Sequence, residues 1–465
     1  MEHRRPNLLL IHSDQHRFDC LGVHASGSGP AARTPNLDRL ATQGADFTHA
    51  FTPSPICSPA RASLLTGRWP SQHRCVNIPP FDGYQPAELR GPTLWRRLAD
   101  AGYRTAHFGK FHGEVAGDPT DHGVERFSSE EAGYDAWRGA RGLPPRTRTH
   151  GWFGEVDPTS GVEDTRIAWG AQLTADAIRD FAADDAGRPF FVRWDPSEPH
   201  LPCLVPPEIA GDYPPASIPP WPGFADPLTD KPPMQAQQRR SWGVEGWPWE
   251  RWAPVVSRYL AEITLLDRKV GEVLRALDEA GVAGDTLVVY STDHGDLCGS
   301  HGMMDKHYMM YDDVVRVPLV ARFPGRIRPG TVRDDFVVHE LDLHATLLAA
   351  AGLQPPEGAE GVDLLAGETG RADVFGQYFG CQFGLYSTRM VRDRRWKYVW
   401  NLTAPDELYD LEADPAELRN RAADPAAAGE LARLRGRVID WCESIGDRQL
   451  NEFTRVQLAP PASPG

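Results

Sequence analysis

Cys57 opens the run Cys57-Ser58-Pro59-Ala60-Arg61, which continues as Ala62-Ser63-Leu64-Leu65-Thr66-Gly67. A proline two residues after the cysteine suits the first turn of a helix. Cys57 is therefore expected at a helix N-terminus, where unpaired backbone N–H groups favour an anion. Arg61, four residues on, returns to the same face one turn later. An isolated cysteine in such a place reads as a small buried residue, and the string that follows weighs against that reading.

Asp14 and Gln15 follow one apolar run, and Asp293 and His294 follow another, LVVYST. Two carboxylates, an amide oxygen and an imidazole make a site for a hard or borderline cation. Alone, Asp14-Gln15 reads as a cap or turn; at Asp293-His294, charge ending a buried strand needs a partner. Lys110 and His112 lie in GKFH after TAHF, His200 lies in EPHLP shortly after FFVRW, and Lys306 lies in HGMMDKH. A solitary lysine is usually solvated and a solitary histidine usually structural. Several of them in loops after apolar runs suggest a site.

The elements that must bring these residues together are short apolar runs ending in polar or glycine residues: Leu8–His12, Thr105–Gly109, Phe190–Trp194, Leu287–Ser291 and Val317–Arg322. Between them lie helical patterns. Thr34–Gln43 has Thr34 as a cap and Pro35 in its first turn, and Thr93–Ala101 stops before Gly102. Val255–Ala280 carries Leu260, Ile263, Leu266, Val270, Val273, Leu274 and Leu277 on one face. Alternating strands and helices predict an α/β layered domain with a largely parallel sheet, whose ligands sit beyond the carboxyl ends of the strands. Residues 141–165 and 202–254, rich in Pro, Gly and Trp, are too long for simple connections and are expected to fold over the site as lids or walls. After residue 365 the runs Asp373–Phe379, Leu385–Arg392 and Lys397–Trp400 read as antiparallel strands, and Ala427–Ser444 as a closing helix. This gives a large α/β unit over 1–365, which holds the candidate site residues, and a smaller α+β unit over 366–465.

The chain has 465 residues and a formal net charge of −15. That balance argues against a nucleic-acid or membrane-surface partner, both of which need a basic face. Leu8–Ile11 is too short for the core of a signal peptide, and no stretch is long enough to span a bilayer. The seven cysteines (20, 57, 75, 203, 298, 381 and 442) are scattered without CxxC spacing, which suits a reducing cytoplasm.

The full string CSPARASLLTG resembles the signature of the sulfatase family, C-x-P-x-R with a trailing T-G. The resemblance extends over most of the chain. Gly109–His112 is similar to that family's G-K-W-H motif, Pro199–Pro202 to its P-H-x-P segment, Thr34–Asp38 to its early T-P-N-L-D helix, and Glu407–Leu411 with Asp414-Pro415 to its C-terminal E-L-Y-D-L…D-P element. The fold implied is a large alkaline phosphatase-like α/β domain around a mixed, mostly parallel sheet, with a small C-terminal antiparallel sheet and helix. The resemblance implies that Cys57 is oxidised by a formylglycine-generating enzyme to formylglycine, whose hydrate is the nucleophile.

It further implies one divalent cation held by Asp14, Gln15, Asp293, His294 and the modified Cys57. Gln15 stands where a second Asp is frequent and His294 where Asn is frequent. Calcium is the expected ion, with manganese or magnesium as alternatives. Arg61, Lys110 and Lys306 would neutralise the ester oxygens. His200 with Lys306 would serve the leaving oxygen as general acid, and His112 would take the second hydroxyl's proton as the sulfated hemiacetal collapses. A serine at position 57 could attack but not eliminate. The expected substrate is a small aryl, alkyl or sugar sulfate. The rival expectation, a phosphonate monoester hydrolase or phosphodiesterase of the same superfamily, suits Asp14-Gln15 and Asp293-His294, but Lys110 and His112 speak against it. An anion-binding protein with unconverted Cys57 is the remaining alternative.

Overall fold

The computed structural model describes residues 5–25, 29–81, 83–145, 151–380, 382 and 384–459. Cys381 and part of the 141–165 segment lie outside the described residues. In chain order the main sheet uses β1 (Asn7–Ser13), β2 (Ala45–Phe47), β3 (Arg104–Gly109), β4 (Arg126–Ser129), β5 (Phe190–Asp195), β6 (Thr286–Thr292), β7 (Leu319–Arg322) and β8 (Thr331–Arg333). The strands lie in the order β8-β2-β7-β6-β1-β5-β3-β4. The centre is parallel, β6-β1-β5-β3-β4, and β7 alone runs against its neighbours β6 and β2. The sheet is therefore mixed and mostly parallel.

Helices cover both faces. Those used below are α1 (Pro35–Thr42), α2 (Cys57–Thr66), α3 (Leu94–Asp100), α4 (Arg166–Ala182), α5 (Pro233–Ser241), α6 (Trp249–Glu279), α7 (His339–Ala350) and α8 (Ala428–Ser444). Leu8 and Leu10 of β1 pack with α2, α3 and α7, while Leu9 and Ile11 pack with α1, α4 and α6. Burial on both faces is why β1 reads as an unbroken apolar run. Truncating one such leucine to alanine costs about 2–5 kcal/mol.

The expected elements recur with shifted ends. Thr34-Pro35 begins α1, but the Thr34 side chain does not cap it. Asp267 of α6 accepts from the free N–H groups of Asn36 and Leu37 at 3.0 and 2.8 Å. Helix α6 starts at Trp249, ahead of the expected Val255. It runs through Pro254, whose missing N–H leaves only the exposed Glu250 carbonyl without its helical bond. The stretch 202–254 also holds α5. Among the described residues no helix is long and apolar enough to cross a membrane.

The C-terminal sheet is antiparallel, β9 (Val374–Gly380), β10 (Tyr386–Arg392), β11 (Trp396–Asn401) and β12 (Glu407–Asp410) in that order. Leu434, Val438 and Trp441 of α8 pack on it. The same core takes in Phe51, Ile56, Met310 and Val314, so the smaller sheet shares apolar contacts with the segments that carry Cys57 and Lys306.

Candidate active site

Cys57 begins α2 as expected, with Ile56 in extended backbone before it. All ten residues of this helix are buried, and that fixes where its N-terminus points. The strand ends converge on it. Asp14 and Gln15 follow β1, Asp293 and His294 follow β6, and both strands end at the same level because Ser13 pairs with Thr292. Cys57 Sγ lies 3.2 Å from His294 Nε2, 3.5 Å from Lys110 Nζ and 3.7 Å from Asp14 Oδ1. His112 and His200 also stand near the thiol. Burial alone pushes the thiol up. Lys110, then Lys306 and His294, outweigh it and hold Cys57 well below the usual thiol range.

The backbone is bent to make these contacts. Gln15, Asp305 and His307 take the left-handed conformation, with φ of 66°, 71° and 93°, an arrangement typical of sites where geometry outweighs local preference. Gly109 has φ of 104°, and a Cβ there would stand 2.1 Å from the Asp195 carbonyl oxygen. That close approach lets Lys110 N donate to the same carbonyl at 2.7 Å. It turns the Lys110 side chain back to Asp14 Oδ2, 2.5 Å away.

Arg61 sits differently from the sequence expectation. Its guanidinium is fully buried, with Nε on Asp293 Oδ2 at 2.9 Å, Nη1 on Asp195 Oδ2 at 2.5 Å and Nη2 on Asp14 Oδ2 at 3.1 Å. All of its nitrogens are committed to carboxylates, which leaves it holding the strand ends together rather than facing a ligand. Gln15 is likewise committed. Its Oε1 accepts from Lys306 Nζ at 2.7 Å, and its Nε2 donates to Asp296 Oδ2 at 2.8 Å and Asp305 Oδ1 at 3.1 Å. Lys306 thus reaches the cluster through Gln15.

One donor atom from each of Asp14, Cys57, Asp293 and His294 falls within 4.8 Å of the others, all buried. The donor chemistry suits a cation. His294 Nδ1 donates to the Gly295 carbonyl at 2.9 Å, which leaves Nε2 for the cluster. Burial opposes a proton on this ring, but Asp293 outweighs it and lifts His294 to about 9. Burial, with Arg61 opposing and Asp14 adding to it, lifts Asp293 to about 6. Asp14 itself is held well below the usual carboxylate range against burial by Lys110, His200 and Arg61, so two carboxylates and an imidazole meet at one buried point where a divalent ion would add positive charge.

Asp195, Arg193, Asp296 and Asp305 belong to the site and are missed by the sequence reading. Asp195 bonds Arg61 and Arg193, and both outweigh burial to hold it well below the usual range. It ends FFVRWD much as Asp14 directly follows its own strand, and that is the available signal.

A cavity of about 680 Å3 opens beside Lys110 and His200, within the range of small-molecule sites. Leu143–Pro145, Asp157 and Ser160 form one wall, so part of the 141–165 segment lies over the site as expected; Arg166, Glu198 and Glu262 form another. The His200 Nδ1 lies 2.5 Å from the Leu201 carbonyl, which fixes that nitrogen as a donor and leaves the other for the cavity. Pro202 and Leu204 of the 202–254 segment also line it, but the tryptophans of that segment do not. Trp247 packs on Phe153 and Trp252, and Trp249 on Phe224, in a core that includes Trp221 and Val256.

The sulfatase family profile matches residues 6–353, and the profile for the C-terminal part of N-sulphoglucosamine sulphohydrolase matches residues 299–443. The chain is 30% identical to the uncharacterized sulfatase YidJ of Escherichia coli (strain K12), over 96% of this chain and 88% of that protein. It is 30% identical to a choline-sulfatase of Rhizobium meliloti (strain 1021), over 92% and 85%. The phosphonate monoester hydrolase of Silicibacter pomeroyi superposes with a TM-score of 0.81 at 25% identity, covering 96% of this chain and 97% of that one.

Proposed function

Since the chain belongs to the sulfatase family and is a sulfuric ester hydrolase, we propose that it cleaves small sulfate esters with a formylglycine nucleophile made from Cys57. The observation that carries this reading is the position of Cys57 Sγ, ringed by Lys110, Asp14 and His294 at 3.2–3.7 Å. Asp14, Asp293, His294 and the side chain at position 57 would hold one divalent cation, with Gln15 at its edge. Calcium is the proposed ion, and its charge would stabilise the anionic sulfate group.

The chain's own residues take these roles. Lys110 and Lys306 place positive charge on the ester oxygens. Arg61 positions Asp14 and Asp293. His200 hands a proton to the leaving oxygen, assisted by Lys306, and His112 accepts the proton whose loss restores the aldehyde. Burial, Lys306 and Lys110 hold His200 below its ordinary range, and an arriving sulfate monoanion offsets the two lysines. A formylglycine-generating enzyme is the proposed maturation partner, and a cytoplasmic location is proposed, supported by the scattered cysteines without CxxC spacing. A phosphonate monoester hydrolase activity is the second reading, favoured by the likeness to two such enzymes of 0.81 and 0.79 in TM-score.

Protein made with the maturation enzyme tests this. Mass spectrometry of the Cys57 peptide is expected to show the aldehyde. Aryl sulfate turnover is expected to be lost in Cys57→Ala and after chelation, and to return with calcium. A thiol at position 57 with undiminished turnover in Cys57→Ala would overturn the mechanism. Faster cleavage of a phosphonate ester than of an aryl sulfate would put the second reading first.

A further inference from the structure

Under the catalytic cluster, on the α2 and α7 side of the sheet, lies a second group of ligand-type side chains that the proposed chemistry does not use. His12 near the end of β1, and His339 and Glu340 at the start of α7, each offer a donor atom, and these atoms lie within 4.8 Å of one another. All three residues are wholly inaccessible to solvent. The two imidazole rings stand parallel, 5.8 Å between centroids and 8° between planes.

Hydrogen bonding sorts the ring nitrogens. Ser291 Oγ donates to the Pro318 carbonyl at 2.5 Å, so toward His339 Nε2, also 2.5 Å away, it can only accept. Nε2 therefore carries the proton and Nδ1 keeps a lone pair. That lone pair stands 3.1 Å from Glu340 Oε1, an acceptor facing an acceptor. Glu340 Oε2 and both nitrogens of His12 are buried without a hydrogen-bond partner. His12 Nδ1 faces Asp195 Oδ2 at 3.9 Å, which leaves Nε2 over. Each imidazole thus has one nitrogen directed to an oxygen partner and one left for the shared point, the way metal-binding histidines are oriented.

We propose that His12, His339 and Glu340 form a second, buried metal site for a divalent transition ion of the zinc class. Two imidazoles and one carboxylate suit zinc and its neighbours better than calcium or magnesium, which prefer all-oxygen shells. The site is linked to the catalytic cluster through Asp195, whose Oδ2 faces His12 Nδ1 at 3.9 Å and accepts from Arg61 Nη1 at 2.5 Å. An ion there would hold Asp195, and through Arg61 the carboxylates Asp14 and Asp293, from below. Burial means that it loads as the chain folds.

The full-length protein, produced with zinc in the medium and dialysed against chelator, gives the test by elemental analysis and by anomalous diffraction at the zinc edge. The expected result is about one zinc ion per chain, retained in Asp14→Asn and lost in His12→Leu, with an anomalous peak between His12 and Glu340. His339→Gln serves if His12→Leu does not fold, and the wild-type anomalous map decides without any variant. A wild-type map with no peak there, or equal zinc in wild type and variant, overturns the site and leaves a proton shared between His339 and Glu340.

Discussion

Lys306 Nζ donates to Gln15 Oε1 at 2.7 Å, while the other end of the same amide donates to Asp296 and Asp305. An amide is the only neutral group that can face a cation and two carboxylates at once. Burial, then Asp305, already pushes Asp296 up to about 7. Gln15→Glu would set a third carboxylate among them and remove both N–H donors. We expect a loss of about 1–3 kcal/mol in stability, with a fall in kcat of at least ~10-fold as Lys306 pairs with the new charge. Urea unfolding and steady-state kinetics on an aryl sulfate measure both, and an unchanged midpoint would show that the amide is not needed.

Arg61 joins Asp14, Asp195 and Asp293 with all four groups buried. Removing the cation leaves like charges in contact, so Arg61→Met is expected to cost about 3–5 kcal/mol. Lysine is a point donor and cannot span three carboxylates. Arg61→Lys is therefore expected to recover little stability and to stay at least ~100-fold down in kcat. Full recovery by lysine would mean that charge alone, not the fork of donors, holds the strand ends.

Gly109 and Gly102 both have positive φ, but only Gly109 has backbone where a Cβ would go; nothing lies within 4 Å of a Cβ at Gly102. Gly102→Ala is expected to cost about 1 kcal/mol of backbone strain and to leave kcat alone. Gly109→Ala must separate Lys110 N from the Asp195 carbonyl, so it should cost more than that and lower kcat as Lys110 moves off Asp14. Equal effects of the two variants on kcat would remove Gly109 from the account of how Lys110 is placed.

The elements that a sequence shows best are those whose burial is local. β1 and β6 are covered on both faces, so their apolar runs and the charged residues that end them stand out. Asp195 is different. Its meaning depends on Arg61, which comes to it from another element, and nothing within FFVRWD announces that partner. The commitment of Arg61 to three carboxylates is hidden for the same reason. The Trp-rich stretch misleads in the other direction. Aromatic residues suit a ligand surface and a small core equally, and only the packing of Trp247 on Phe153 and Trp252 decides for the core.

Glu262, in the cavity wall, gives a pH dependence of known sign. Its Oε1 accepts from Leu204 N at 2.8 Å, while Oε2 is buried without a hydrogen bond. Burial first, then Glu198, push it from 4.5 up to about 8 against the pull of Arg166. Between those values the folded protein keeps a proton that the unfolded chain has released. Its contribution to stability is therefore full below pH 4.5 and is lost as pH rises toward 8, with a slope of up to about 1.4 kcal/mol per pH unit. Glutamine keeps the bond to Leu204 and cannot titrate. Glu262→Gln should thus match the wild type near pH 5 and exceed it in unfolding free energy near pH 8. Stability profiles that run parallel across that window would mean that Glu262 is ionised in the folded protein, balanced by Arg166.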